Sequence, residues 1–305
     1  MKAFTATGRP DRMVEIGEVP EPEPRPDEVL VKVDAYSVNR GETFLLERPP
    51  AAWRPGKDVA GLVVQAAADG TGPAVGQRVV AHPPASGWAE YVAVPAGSVA
   101  RLPEQVTTVQ AAALPLAGLT ALRLLRAAGG VTGRRVLLTG ASGGVGHYFV
   151  ELAAAAGALV TAVSRSAERG ARLAELGATV VQRIEDAPGP FDLVLESTGG
   201  AGLPLALGRL VPRGELIWFG QASREPVTLD FFDLLNGPVS ATVRHFSYAD
   251  AGQPYADDLR TLVRLVAAGR LHPEIGLVED WSRTAAVLTD LRARRIRGNA
   301  VLTLS

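Results

Sequence analysis

Apolar residues recur along this chain in two different rhythms. Over residues 1–115 they come as short runs broken by proline and glycine: Val29–Val33 (VLVKV), Val59–Ala66 (VAGLVVQA), Gln77–Ala81 and Glu90–Val94, set between turn segments at Pro20–Pro26 and Gly70–Gly72. Several short strands at such spacing predict a β-barrel-like or sandwich domain. The Pro20–Pro26 run (PEPEPRP) is too short to separate domains and reads as a surface connection.

From about residue 116 the period lengthens. Arg134–Gly140 (RRVLLTG) is an apolar run ending in glycine, and Val145, Phe149, Leu152 and Ala156 then recur at helical spacing across residues 144–157. Leu159–Ser164 is again strand-like, and Ala167–Leu176 is a helix stopped by Gly177. Further strands are expected at Ala178–Gln182, Phe191–Glu196, Glu215–Phe219 and Val239–His245. Strands alternating with helices predict βαβ units and a parallel sheet. From about residue 255, helices are expected at Asp257–Ala268 and near Arg283–Arg294, then a last strand at Ala300–Leu304.

Composition narrows the function classes. A length of 305 residues predicts two domains and a core that needs no staples. With no cysteine, disulfides, thiolate-held metals and thiol catalysis are all excluded. The 31 basic residues nearly cancel the 32 acidic ones, and no long basic run is present, which argues against a nucleic-acid partner. No apolar segment resembles a secretory signal or a bilayer span, so a soluble cytoplasmic protein without a membrane partner is expected.

The most informative segment is Val136–Gly146 (VLLTGASGGVG), which places Gly140, Gly143 and Gly146 between an expected strand and an expected helix. Glycines there let the backbone turn tightly and approach a pyrophosphate, whose charge the helix N-terminus favours. The spacing is G-x-x-G-x-x-G rather than G-x-G-x-x-G. About 20 residues on, where an NAD site carries an acid for the ribose 2′-hydroxyl, the chain reads Ser164-Arg165-Ser166. An arginine and hydroxyls suit a 2′-phosphate that a carboxylate would repel, so NADP(H) is favoured over NAD. The alternative is a solvated Arg165 beside hydroxyls that cap the following helix.

A series of blocks in order then resembles the zinc-independent, quinone oxidoreductase-like branch of the medium-chain dehydrogenase/reductase superfamily. Tyr36–Glu42 (YSVNRGE) resembles the family's asparagine segment at the active cleft, Pro55–Gly61 (PGKDVAG) its P-G-x-D-x-x-G block, and Gly87–Pro95 (GWAEYVAVP) its G-x-x-A-E-Y-x-x-V-P block. Leu114–Ala121 (LPLAGLTA) resembles the opening of the cofactor domain, and Gly298–Leu302 (GNAVL) the terminal strand. Zinc-dependent relatives carry a Gly-His-Glu block; here Gly56-Lys57-Asp58 stands instead, and His82, His147, His245 and His272 show no ligand spacing. No metal is expected.

The resemblance implies an α/β fold: a doubly wound parallel-sheet Rossmann domain at residues 118–261, plus a GroES-like β-barrel catalytic domain from residues 1–117 and 262–305. It implies hydride transfer from NADPH to a quinone or an α,β-unsaturated carbonyl. The alternatives are a pathway-specific enoyl reductase or a non-catalytic NADPH-binding sensor or scaffold. Asn39 matches the cleft asparagine, Tyr36 is a possible proton donor, and Arg40 could stabilise an enolate. The structural alternative packs Tyr36 in the barrel and turns Arg40 to solvent. Implied cofactor contacts are Thr120, the loop residues Gly140, Ser142, Gly143, Gly144, Val145 and Gly146, then Ser164 and Arg165, Ser197, Thr198 and Gly199, Phe219 and Gly220, Phe246 and Asn299. Trp53, Trp88 and Tyr248 are possible walls of the substrate site. The apolar Val239–His245 run suggests an edge that pairs in a homodimer.

Overall fold

The structure, a computed structural model, describes residues 1–250 and 252–304. It divides into two compact units, one comprising Met1–Leu119 and the chain from Gly252 on, the other beginning at Thr120. The first opens with β1 (Lys2–Arg9), β2 (Arg12–Glu18), β3 (Glu28–Val38), α1 (Arg40–Glu47), β4 (Val59–Gln65), β5 (Arg78–Ala81), β6 (Tyr91–Pro95), β7 (Val99–Arg101) and α2 (Thr108–Ala112). Helix α3 (Pro115–Ala127) carries the chain across the division. The second unit holds β8 (Arg135–Leu138), α4 (Gly144–Ala155), β9 (Leu159–Val163), α5 (Ala167–Glu175), β10 (Thr179–Val181), β11 (Phe191–Glu196), α6 (Gly202–Leu207), β12 (Leu210–Trp218), α7 (Phe231–Asn236) and β13 (Thr242–His245). The chain returns to the first unit with α8 (Tyr255–Ala267), β14 (Ile275–Asp280), α9 (Thr284–Arg292) and β15 (Asn299–Thr303).

In the first unit, seven strands form a sheet of order β14-β15-β3-β4-β5-β7, with β6 also paired to β3. All its pairs are antiparallel except β14 with β15. The long β3 organises it. Val29, Val31 and Val33 alternate inward with Lys32 and Asp34 outward, as a strand with one buried face requires. Each buried valine contributes about 1.5–3 kcal/mol. Tyr36 and Trp88 fill the centre of the same core.

In the second unit six strands, all parallel, lie in the order β10-β9-β8-β11-β12-β13. By position in this unit the order is 3-2-1-4-5-6, the doubly wound arrangement whose direction of progression reverses between the first and fourth strands, here β8 and β11. The apolar runs Val136–Leu138 and Leu193–Leu195 are buried without alternation, as strands covered on both faces must be. The architecture is the α/β combination expected from the sequence.

Local differences have physical causes. Helix α1 escapes sequence periodicity because its buried face carries Glu42 and Thr43 beside Leu46. The β1–β2 hairpin escapes because each strand buries only two adjacent apolar residues, Ala3 and Phe4 on β1 and Met13 and Val14 on β2, without alternation. The strand expected over Val239–His245 begins only at Thr242, since Ser240 takes a left-handed φ of 59° two residues after Pro238. No described helix is long and apolar enough to cross a membrane.

Candidate functional site

Two constellations stand out, one in each unit. In the second, the C-terminal ends of β8 and β11 carry neighbouring loops at the reversal point, where open α/β sheets bind ligands. Gly140, just past β8, has φ of 62°, and a Cβ there would lie 2.5 Å from the Ser197 hydroxyl. Gly143 is the N-cap of α4, and the first turn of that helix carries no acidic residue. A Cβ on Gly146 would collide with the Ala141 carbonyl oxygen. These glycines bring the loop backbone against the helix start. Gly143 is exposed and Gly144 and Val145 are half-buried, so the N-terminal backbone of α4 is accessible. A twelve-residue helix whose first turn carries no local anion is a ready acceptor for phosphate.

Across from it, Ser197 is clamped to Thr139. Its N–H donates to Thr139 Oγ1 at 2.9 Å and its hydroxyl to the Thr139 carbonyl at 3.0 Å. Gly199 and Gly200 both take left-handed φ angles, 68° and 56°, which bend the loop sharply after Thr198. At the end of β9, Ser166 caps α5 by accepting from Arg169 N–H, and Arg165 is exposed.

The first unit buries a polar cluster beneath α1. Asp58, fully buried, accepts from Ser37 Oγ at 2.7 Å, Asn39 Nδ2 at 2.6 Å and Leu116 N–H at 2.9 Å, with His82 Nδ1 at 3.3 Å. The Leu116 contact satisfies an orphan donor in the first turn of α3, behind Pro115 at its first position. Glu42, also buried, accepts from Asn39 N–H at 3.1 Å and Gly56 N–H at 2.9 Å. Burial, and then the nearby Asp58 charge, push the Glu42 carboxyl from 4.5 up to about 8, against the opposing N–H bonds. Among the described residues no group of three or more His, Cys, Asp or Glu side chains is placed to hold a metal ion.

Comparison with known proteins agrees with both units. Residues 25–104 match the Alcohol dehydrogenase GroES-like domain family, and residues 144–268 the Zinc-binding dehydrogenase family. A quinone oxidoreductase of Pseudomonas aeruginosa is 29% identical over 319 residues, covering 98% of each chain. The chloroplast envelope quinone oxidoreductase homolog of Arabidopsis thaliana is 39% identical over 163 residues, 48% of this chain and about half (49%) of that protein. A mycobacterial protein solved in complex with NADPH superposes with a TM-score of 0.89 at 26% identity, covering 99% of this chain and 100% of its own. The chain belongs to the quinone oxidoreductase-like branch of the medium-chain dehydrogenase/reductase superfamily.

The positions of the residues expected to act in this family divide sharply. Tyr36 is corrected to a core residue. Its ring is wholly buried and stacks on Trp88 with centroids 5.7 Å apart, and its hydroxyl is bonded to Thr284 Oγ1 at 2.6 Å. Burial drives its phenol far above the ordinary range, the opposite of what a proton donor needs. Trp88 is likewise barrel core, its indole N–H donating to the Ser37 carbonyl, and Trp53 packs half-buried against that core. Arg40 does not extend into solvent alone, since its guanidinium donates to the Leu291 carbonyl at 2.9 Å and ties α1 to α9. Asn39 is the N-cap of α1, with its amide N–H group committed to Asp58.

Among the expected cofactor contacts, Gly140, Ser142 and Gly143 lie in the β8–α4 loop, Gly144, Val145 and Gly146 in the first turn of α4, and Ser197, Thr198 and Gly199 in the loop after β11. Phe219 and Gly220 follow β12, half-buried; Phe246 follows β13, also half-buried, and the nearby Tyr248 carbonyl accepts from Arg123 at 2.6 Å. Thr120 is buried on α3. Ser164 is buried, its hydroxyl donating to the Ser166 carbonyl at 3.0 Å, which makes it a brace for the turn that exposes Arg165. Asn299 lies in the first unit, buried at the start of β15, with its amide donating to the Glu274 carbonyl at 3.1 Å. Not foreseen from the sequence were Asp58 and Glu42 as partners of Asn39, with His82 bonded to Asp58, and Thr139 as the partner of Ser197, with Glu196 bonded to Thr139. An acid closing the strand just after the apolar residues Leu193–Leu195 was the one available signal.

Proposed function

We propose that this protein is an NADPH-dependent, zinc-free reductase that transfers hydride to a quinone or an α,β-unsaturated carbonyl. The observation that carries the reading is the C-terminal edge of the parallel sheet. There an accessible glycine loop opens α4, and the end of β9 offers an exposed arginine and no acid. The names of the quinone oxidoreductase relatives and the NADPH in the mycobacterial structure support it. The residues fit the dinucleotide, because the Gly140 and Gly146 positions have no room for a side chain and bring bare backbone to the helix end.

Bound NADPH would supply the hydride, which is the difficult chemistry. The chain's residues hold and orient. The N–H groups of Gly144 and Val145 take the pyrophosphate, Arg165 and Ser166 the 2′-phosphate, and Ser197–Gly199, Phe219, Gly220, Phe246 and Thr120 the nicotinamide half. Asn39 is the residue that the family resemblance assigns to the substrate, and Asp58 holds its amide N–H group. With the Tyr36 hydroxyl enclosed by the barrel, we assign the proton that follows hydride to water.

NADPH consumption with a panel of quinones and enones tests the reading. Turnover with an electron-poor acceptor is expected. Tight NADPH binding without turnover on any of them would leave a non-catalytic NADPH-binding protein, and absence of binding would refute both.

We also infer a cytoplasmic homodimer joined at β13. That strand is the end of the six-stranded sheet, with β12 on one side only, and Val243 on it is exposed. Close before it in sequence, Phe231, Phe232 and Leu235 are exposed by 69%, 66% and 58%, more apolar surface than one short helix leaves in water without a partner. Light scattering at micromolar concentration should give twice the 31.9 kDa chain mass; a monomer refutes the pairing.

A further inference from the structure

Glu196 ends β11 as a fully buried carboxylate with no cationic partner among its hydrogen bonds. Every group that meets it is a donor. Thr139 Oγ1 and Thr198 N–H reach Oε1, each at 2.9 Å, the Thr198 hydroxyl reaches the same oxygen, and Gly199 N–H reaches Oε2 at 2.9 Å. Thr139 is the residue before Gly140. Because its hydroxyl hydrogen is directed at Glu196, its oxygen is turned to accept Ser197 N–H at 2.9 Å. One carboxylate therefore sets both sides of the β8–β11 reversal point.

The loop after β12 is held through the same segment. Phe219 N–H donates to the Glu196 carbonyl at 2.9 Å, Ala222 N–H to that of Ser197 at 3.0 Å, and Ser223 N–H to that of Thr198 at 2.7 Å. Side chains at Gly199 and Gly200 would press on Gln221, Ser223 and Glu225. Three loops at the sheet's C-terminal edge thus meet at one segment: those after β8 and β11 through the Glu196 carboxylate, and that after β12 through the main-chain carbonyls of Glu196, Ser197 and Thr198.

We propose that Glu196 is a positioning residue for the dinucleotide: its carboxylate, acting through Thr139, Thr198 and Gly199, holds these three loops in the one arrangement that receives the cofactor. The inference rests on the NADPH reading above. It explains why a buried, unpaired acid stands at the end of an apolar strand: the loop offers a ring of donors that only an acceptor with two oxygens can satisfy.

Glu196→Gln keeps the side chain's size but replaces one acceptor by a donor. In its better orientation the amide nitrogen faces Gly199 N–H, donor against donor, and the loop is released. Glu196→Asp keeps both oxygens and is one methylene shorter. If Glu196 only fills space, the Asp variant is the worse of the two; if it positions the loops, the Gln variant is. We expect E196Q to raise the KM for NADPH at least tenfold, with kcat and the KM for the quinone within threefold of wild type, and E196D to recover most of the loss. A KM for NADPH within twofold of wild type in E196Q, or E196D worse than E196Q, overturns the proposal. Should E196Q fail to fold, Thr139→Val is read in its place: a KM for NADPH raised at least threefold supports the clamp, and an unchanged value overturns it. Wild-type NADPH affinity is measured alongside. Its absence removes the function reading and this inference together, whereas tight wild-type binding with an indifferent variant removes this inference alone.

Discussion

Replacing Glu42 with Gln removes a carboxyl that the fold keeps protonated far above its ordinary range. Burial is the larger cause and the Asp58 charge the second, and together they carry it from 4.5 to about 8. The sign follows from linkage: the folded chain holds this proton more tightly than the unfolded chain, so the fold loses stability as pH rises between those two values and no further above them. One proton corresponds to a slope of at most about 1.4 kcal/mol per pH unit. Between about pH 5.5 and pH 8 the loss integrates to about 3 kcal/mol. Gln does not titrate. It also sets an amide against the N–H of Asn39 or Gly56, a pH-independent cost of about 1–3 kcal/mol. The stability advantage of wild type over E42Q should therefore shrink by about 3 kcal/mol across this window and then level off. Urea unfolding of both proteins at several pH values, followed by tryptophan fluorescence, measures it. Trp53, Trp88 and Trp281 lie in the unit that contains Glu42, so the signal reports mainly on that unit. Parallel pH curves for the two proteins would refute the account of this carboxyl.

Three further outcomes are expected. Gly146→Ala places a methyl group against the Ala141 carbonyl, so NADPH affinity should fall at least tenfold (about 1.4 kcal/mol or more) by fluorescence titration; wild-type affinity would mean that the loop is not the phosphate site. Arg165→Asp should weaken NADPH far more than NADH, because it removes an exposed cation and adds an anion opposite the 2′-phosphate; equal losses for both cofactors would contradict the assigned preference. Tyr36→Phe should leave kcat within twofold while lowering stability by about 1 kcal/mol through loss of the Thr284 bond; a hundredfold fall in kcat would restore Tyr36 as a proton donor.

Elements whose apolar pattern reports their burial were legible in the chain. The runs that became β3, β4, β8, β9 and β11, and the helices α4, α5 and α8, were each recognisable, because burial on one or both faces imposes a period of two, a continuous run or a helical repeat. Helix α1 was not, since its inward face carries Glu42 and Thr43, polar residues that become acceptable only once Asn39 and Gly56 are there to bond.

The candidate site divides in the same way. Glycine positions were readable because their constraint is local: a left-handed φ at Gly140 or a close approach at Gly146 admits no Cβ whatever surrounds the loop. The exposed arginine at the end of β9 was readable for a similar reason, as the turn that presents it is a few residues long.

By itself, then, the amino-acid sequence determined the α/β architecture, the glycine loop between β8 and α4, and the absence of any cysteine chemistry. Only the tertiary structure decided that Tyr36 and Trp88 belong to the barrel core, that Asn39 leans on Asp58 and Glu42, and that Glu196 ties together loops whose residues lie up to 84 positions apart, from Thr139 to Ser223. Backbone conformation is dictated over a few neighbouring residues. The role of a polar side chain is set by which donors and acceptors the folded chain brings within hydrogen-bond reach, and those contacts come from strands far apart in sequence.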